Sequence, residues 1–245
     1  MKSTRILERC RKELRPWLGH SPVPVPTFEP LHKTKNDRLK VDAAYARMND
    51  LETGHPYLQT NRALPAPLLM SERFAGRIRI DDRGNAVFPH FDTEGMSGYE
   101  LKNIGFTGFA SGGSKALWLS HEMPGDQRLV IAESAIDALS HAVLFPDPFA
   151  RYASIGGKPN PMQPELIRSA AARMAPGGEI VSAMDADADG ASLTEVVRKA
   201  VALTGRSDLR FTVHEPFGFK DFNDQLRETP KLSLSYRPPE VPSFR

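Results

Sequence analysis

The spacing of apolar positions changes along the chain. Between residues 76 and 103 it alternates. GRIRIDD (76–82) and AVFPHFD (86–92) place successive apolar side chains on one face, RGN and TEG supply turns, and MSGYELKN (96–103) alternates again. This predicts an antiparallel meander, with KALWLS (115–120) as a further strand. From residue 128 the pattern switches. RLVIAE (128–133), RYASIG (151–156), EIVSAMD (179–185) and DLRFTVHEP (208–216) are short apolar runs. Each is followed by helical spacing: SAIDALSHAVLF (134–145), PELIRSAAARMA (164–175), ASLTEVVRKAVALTG (191–205) and KDFNDQLRET (220–229). Ser134 is placed to cap the first of these helices, Pro176 and Gly177 stop the second, and Gly205 closes the third. Strands alternating with helices predict a parallel sheet covered on both faces. The expected fold is α/β, a Rossmann-like parallel sheet preceded by a small α+β antiparallel subdomain.

Upstream, VDAAYARMNDL (41–51) reads as helical, RALPAPLLMSERF (62–74) as a short loop and helix, and residues 3–18 as a short basic helix. HSPVPVPTFEP (20–30) alternates proline with small apolar residues and is expected to be an extended linker. The expected organisation is a basic helix and linker over 1–40, the small subdomain over 41–122, the parallel domain over 123–230 and a disordered proline-rich tail over 231–245.

Composition narrows the class. The 245 residues are 40% hydrophobic and 25% charged, as in ordinary globular proteins. The net charge of +2 says little, but residues 1–40 hold ten basic side chains against four acidic ones. Such an arm either attracts phosphate backbones or is a solvated helix with its linker. The single cysteine, Cys10, excludes a disulfide framework and a cysteine-rich zinc ribbon. No stretch reaches the roughly 20 apolar residues of a membrane span, and the charged N-terminus lacks a signal-peptide core. A reducing, cytoplasmic setting is expected. GFTGFASGGSK (105–115) lacks the GxxxxGK[ST] spacing of a Walker loop. It reads as a flexible connection between strands, or as a loop whose Lys115 holds a phosphate. Lys102 and Lys158 are further candidates for phosphate or nucleic-acid contact.

The chemistry lies in the carboxylates. Two apolar runs end in acids, Glu133 and Asp185, and Asp187 and Asp189 follow the second. Parallel strands joined by right-handed crossovers put their C-terminal ends on one edge, where such sheets bind ligands. Asp137 lies one helical turn beyond Glu133, and the connection after the last strand brings Lys220, Asp221 and Asp224 to the same edge. Acids this close repel, and some stay protonated unless a cation intervenes. Glu133, Asp137, Asp185, Asp187, Asp221 and Asp224 are therefore expected to hold one or two Mg²⁺ or Mn²⁺ ions in a hard-oxygen site. The segment DADADG (185–190) matches the first six positions of a calcium EF-hand loop. Val196 occupies the twelfth, where a bidentate Glu is required, and a strand rather than a helix precedes the loop, so a calcium loop is set aside. Asp189 is either an extra ligand or the cap of the helix expected near Ala191.

A strand ending in Glu, a later strand ending in D-x-D and the βαβα pattern between them resemble a TOPRIM domain. This module is shared by bacterial replicative primases, type IA and type II topoisomerases and OLD-type nucleases. The resemblance covers residues 128–228 and rests on IAESAID, SAMDADADG and KDFNDQL. The last is similar to the K-D-x-N-D signature of TOPRIM proteins of plasmids and mobilisation elements. NAVFPHFDTEGMSGYELKN resembles the small sheet preceding TOPRIM in primase-type proteins, and RKELRPWLG the N-terminal region of plasmid-encoded ones. Asp189 departs from the family, which usually has a small residue there.

The resemblance implies a metal-dependent, primase-like nucleotidyltransferase acting on single-stranded DNA and NTPs in plasmid or mobile-element replication or transfer. Glu133, Asp185, Asp187 and Lys220 are its expected catalytic residues. The aspartates would hold metal, Glu133 would bind metal or act as general acid/base, and Lys220 would neutralise a phosphate. Relatives carry an upstream zinc-binding domain that this sequence lacks, so a zinc-domain, helicase or relaxase partner is expected. The alternatives are a TOPRIM nuclease and a non-catalytic DNA- or nucleotide-binding module. Topoisomerase chemistry needs a tyrosine nucleophile, and none of Tyr45, Tyr57, Tyr99, Tyr152 and Tyr236 sits in a recognisable motif.

Overall fold

A computed structural model describes residues 37–229. The expected basic helix over 3–18, the linker over 20–30, Cys10 and the tail over 231–245 lie outside them. The described elements, in chain order, begin with α1 (Arg38–Ala46), β1 (Asn49–Asp50), a π-helical turn (Tyr57–Asn61), α2 (Ala66–Leu69) and β2 (Arg79–Ile80). The meander follows: β3 (Ala86–Asp92), β4 (Gly95–Asn103), β5 (Phe106–Phe109) and β6 (Leu117–Leu119). The alternating half then runs β7 (Arg128–Ala132), α3 (Ala135–Leu144), β8 (Ala150–Ser154), α4 (Gln163–Ala172), β9 (Glu179–Ala183), α5 (Ala188–Ala202), β10 (Arg210–Val213) and α6 (Phe222–Glu228).

These strands form one sheet. Its order is β1-β2-β3-β6-β8-β7-β9-β10, with β4 and β5 branching from β3. β8, β7, β9 and β10 are parallel neighbours. The meander is antiparallel and joins them through β6, which pairs β3 at His90 and Phe91 and β8 at Ser154 and Ala153. β7 is buried from Leu129 to Ala132, which is why it reads as a continuous apolar run. Pro89 lies inside β3, where a missing N–H would normally break a ladder. It pairs Tyr99 of β4 on one side. On the other side β2 ends its pairing at Val87 and β6 begins at His90, so no ladder bond is forfeited there.

Helices cover both faces. On one, α3 and α6 pack with Trp118, Phe74 and Phe88 against Val130 and Val181. On the other, α4 and α5 pack against Leu129, Ile131 and Ile180. Trp118 is fully buried, its indole N–H donates to the Arg77 carbonyl at 2.8 Å, and its ring stacks on Phe74. Burying each such large apolar side chain stabilises the fold by about 1.5–3 kcal/mol.

Five local expectations differ from the structure. Residues 105–115 contain a strand, β5, paired to β4, and are not merely a flexible connection. The loop and helix expected over 62–74 keep only one helical turn, Ala66–Leu69, the helix expected over 41–51 gives way to β1 after Ala46, and the strand expected over 76–82 shrinks to two residues. Finally, α5 begins at Ala188, not near Ala191. Among the described residues no helix is long and apolar enough to cross a membrane.

Candidate active site

The C-terminal ends of β7 and β9 lie side by side, with Ala132 opposite Ala183. Glu133 leaves β7 half-buried, and Asp185 leaves β9 two residues past its last paired position. Beyond Glu133, Ser134 caps α3. Its hydroxyl accepts from the Asp137 N–H at 3.2 Å and donates to the Asp137 carboxylate at 2.5 Å. The cap turns Asp137 inward, where it is 7% exposed and accepts from the Asn223 N–H at 3.2 Å.

Asp187 caps α5, accepting from the Gly190 N–H at 2.9 Å, while Asp189 is exposed in the first helical turn. The cap is thus Asp187 rather than Asp189. The helix starts earlier because Asp187, with extended backbone, can reach the N–H three residues on. The loop before α6 is tied to this corner by Ala186, whose N–H donates to the Lys220 carbonyl at 2.7 Å. The Lys220 ammonium stands 3.6 Å from Asp187 and 4.0 Å from Asp185. It is 64% exposed, so these pairs are weak.

Charge is unevenly settled. Burial, then the Asp137, Glu133 and Asp221 carboxylates, push Asp185 up to about 7, against Lys220. Burial and Asp221 push Asp137 up to about 6. Glu133 is also raised, by burial first and then by Asp187. Asp187 alone is held low, because the Gly190 N–H donates to it and Lys220 faces it. The edge therefore has too many acids for its cations.

The remaining expected residues fall in several places. Asp221 caps α6 by accepting from the Asp224 N–H at 2.7 Å, and Asp224 pairs with Arg227 at 3.3 Å. Lys115 donates to the carbonyls of Gly156 and Lys158, past the end of β8, at 2.6 and 3.1 Å. Burial lowers its pKa, while Glu100 and Glu133 act to raise it, so it shares the field of the acid edge. Lys102 points to Glu100 at 3.8 Å, and Lys158 is exposed. Among the described residues no three acid, imidazole or thiol groups stand close enough together, as they sit, to hold one ion.

Three arrangements are set by partners distant in sequence, although Asn223 itself stands in the K-D-x-N-D segment. Glu100 is buried on β4, 3.8 Å from the buried His90. Burial alone would raise its carboxyl, but His90, Lys102 and Lys115 outweigh that and hold it low. A charged residue at an inward position of the alternating YELK stretch was the available signal. The side chain of Asn223 donates to the Arg62 carbonyl at 2.8 Å and to the Ser140 hydroxyl at 2.9 Å. His141 and His214 meet at 3.0 Å under Phe222, across 73 positions of sequence, which no local pattern shows.

Adjacent parallel strands β7 and β9 are thus followed at their C-terminal ends by acids, Glu133 and Asp185, with Lys220 facing Asp185 and Asp187. Residues 130–226 match the family model described as Toprim-like, and the chain carries a Toprim-like domain there. Residues 56–127 match a family described as a protein of unknown function, DUF3991. No curated protein matches the chain. Among solved structures, the primase fragment of the bacteriophage T7 primase-helicase protein is 16% identical, with 86% of this chain and 79% of that one covered and a TM-score of 0.47. A chain from a bacteriophage T7 assembly is 20% identical, with 74% and 87% covered and a TM-score of 0.42. That assembly is of lagging-strand DNA polymerase with primase domains bound to an RNA/DNA hybrid and dTTP.

Proposed function

We propose that this chain is a primase-like nucleotidyltransferase that joins nucleotides on single-stranded DNA with the help of Mg²⁺ or Mn²⁺. The observation that carries the reading is the unsettled charge at the strand ends of a Toprim-like domain, where Asp185 is driven up to about 7 by burial and neighbouring carboxylates. The donor set of Glu133, Asp185 and Asp187 is all hard oxygen, which suits these cations. Such an ion, when bound, stabilises charge on the attacking and leaving oxygens of a phosphoryl transfer.

The protein's own groups do the rest. Asp185 and Asp187 would hold the cation, with Asp187 fixed by its cap. Glu133, whose carboxyl is raised by burial and by Asp187, would serve as a second ligand or as the group that takes a proton from the attacking hydroxyl. Lys220 is exposed and only weakly paired, so it can swing from the aspartates to a phosphate. Asp137 accepts from the Asn223 N–H and Asp221 caps α6, which fixes the start of the helix that follows Lys220. Lys115, with Lys102 and Lys158 beyond it, supplies positive charge on the meander side. The K-D-x-N-D segment from Lys220 to Asp224 supports a role in plasmid or mobile-element replication in the cytoplasm, beside a helicase, a relaxase or a zinc-domain partner.

The test is incorporation of labelled NTPs on single-stranded template with Mg²⁺ or Mn²⁺, with a zinc-domain partner supplied. Short products are expected from the wild type and none from Asp185→Ala. An inactive wild type sinks the reading, and metal-dependent nicking of plasmid DNA that Asp185→Ala abolishes would assign the same acids to hydrolysis.

A further inference from the structure

The connection from β10 to α6 presents two phenylalanines beside the acid edge. Phe217 is 87% exposed and Phe219 is 37% exposed, with Gly218 between them at φ +76°. A single exposed apolar residue needs no explanation, but this pair does not sit on a frayed loop. The Phe217 N–H donates to the Gln225 side chain at 3.0 Å, Pro216 is buried, and the Lys220 carbonyl accepts from the Ala186 N–H at 2.7 Å. Gly218 lies in the left-handed region and has open space around the position of a Cβ. The loop is thus braced at both ends and turned so that a phenyl ring faces water.

Its neighbours suggest what covers that ring. Three residues on, Lys220 reaches the carboxylates where phosphate chemistry is proposed. Three residues of chain span at most about 11 Å, so a ligand engaged at Lys220 passes within reach of Phe217. An unpaired base has a flat apolar face and is joined to a phosphate, and it stacks on exposed aromatics largely irrespective of sequence.

We infer that the Phe217–Phe219 loop is a stacking platform for an unpaired base of the single strand whose backbone lies at Lys220. The inference rests on the proposed function and adds a base-binding position to it. The loop grips the nucleotide next to the reacting one and sets its register against the acids, whereas Lys220 contributes charge alone.

The test is binding of a short single-stranded oligonucleotide bearing one 2-aminopurine, read by anisotropy and by quenching of that base. Wild type is expected to bind and quench. Phe217→Ala should bind about tenfold to a hundredfold more weakly, as loss of one stacked base implies, with quenching lost and the salt dependence unchanged. Phe217→Trp should restore both, and an oligonucleotide abasic at the probe position should bind wild type and Phe217→Ala alike. Equal binding and equal quenching by wild type and Phe217→Ala overturn the platform but leave the proposed function standing. A wild type that binds no single strand overturns both. If Phe217→Ala keeps strand binding but breaks up an oligomer in sedimentation, the loop is a protein-docking surface and the inference is wrong.

Discussion

The backbone N–H of Asn223 donates to the Asp137 carboxylate at 3.2 Å, tying the first turn of α6 to the first turn of α3 across 86 positions of sequence. The same residue's side chain holds Arg62 and Ser140. Asn223→Ala keeps the backbone bond but strips a donor from a carbonyl and from a buried hydroxyl. It is expected to destabilise the protein by about 2–3 kcal/mol, since the side chain's bonds to the Arg62 carbonyl and the Ser140 hydroxyl, and the one its Oδ1 accepts from the Arg62 guanidinium, are all lost. Urea denaturation checks this, and a change below about half a kcal/mol would show that water replaces the amide.

The acid edge should leave a signature in stability against pH. Asp185 is raised to about 7 and Asp137 to about 6, whereas an unfolded Asp titrates near ~3.9. Between these values the folded state holds the extra protons, so the stability this supplies is full in acid and is lost as pH rises through the folded values. His141 acts oppositely. Burial holds its ring down at about 3, so its contribution is lost as pH falls below about 6.5. The informative quantity is therefore the difference between wild type and Asp185→Asn, melted in EDTA. Asp185→Asn should gain on wild type by at least about 1 kcal/mol from acid to pH 8, since each tenfold change in proton affinity between the folded and unfolded chain is worth about 1.4 kcal/mol. A difference that does not grow with pH refutes the raised Asp185.

Divalent ions should do what the substitution does. Adding Mg²⁺ or Mn²⁺ to the wild type at neutral pH is expected to raise the Tm, with a stabilisation of about 2.7 kcal/mol at a hundred times the dissociation constant. Asp185→Ala and Asp187→Ala should lose most of the rise. Equal rises in all three proteins would place the bound ion elsewhere.

Gly190 offers a test of packing at the same corner. A glycine inside a helix is ordinarily improved by alanine, by roughly 0.5–1 kcal/mol. Here a Cβ would overlap the Asp185 carbonyl oxygen and stand 2.8 Å from its carbon, atoms of the backbone that cannot step aside. Gly190→Ala is expected to destabilise by about 1–3 kcal/mol and to diminish the metal-induced rise in Tm by displacing Asp185. Calorimetry with and without Mn²⁺ measures both effects.

The parallel half was legible where local chemistry decides. β7 stops where the apolar run stops, and Ser134 caps α3 as its side chain allows. DADADG misled at one point. Its alternating acids look like loop, but the backbone enters helix at Ala188 because Asp187 supplies the cap. β5 was hidden because FTGF carries too few apolar residues to alternate, and its pairing with β4 is what makes it a strand. At the site, Glu133 and Asp185 could be placed together from topology alone. The inward turn of Asp137 and the burial of Glu100 could not, since both depend on partners far away in sequence. The final glycine of DADADG is now explained by its approach to Asp185, without any calcium loop.

β6 is three residues long and is the seam of the sheet. The two family matches meet between residues 127 and 130, yet the ladder crosses that border without a break, from β6 to β8. Severing the chain there would lay bare two raw edges, whose unpaired N–H and C=O groups template chain-to-chain sticking. What sequence families divide into two pieces shares one hydrogen-bonded sheet, and β6 alone joins the meander to the strands that end at the acids among the described residues.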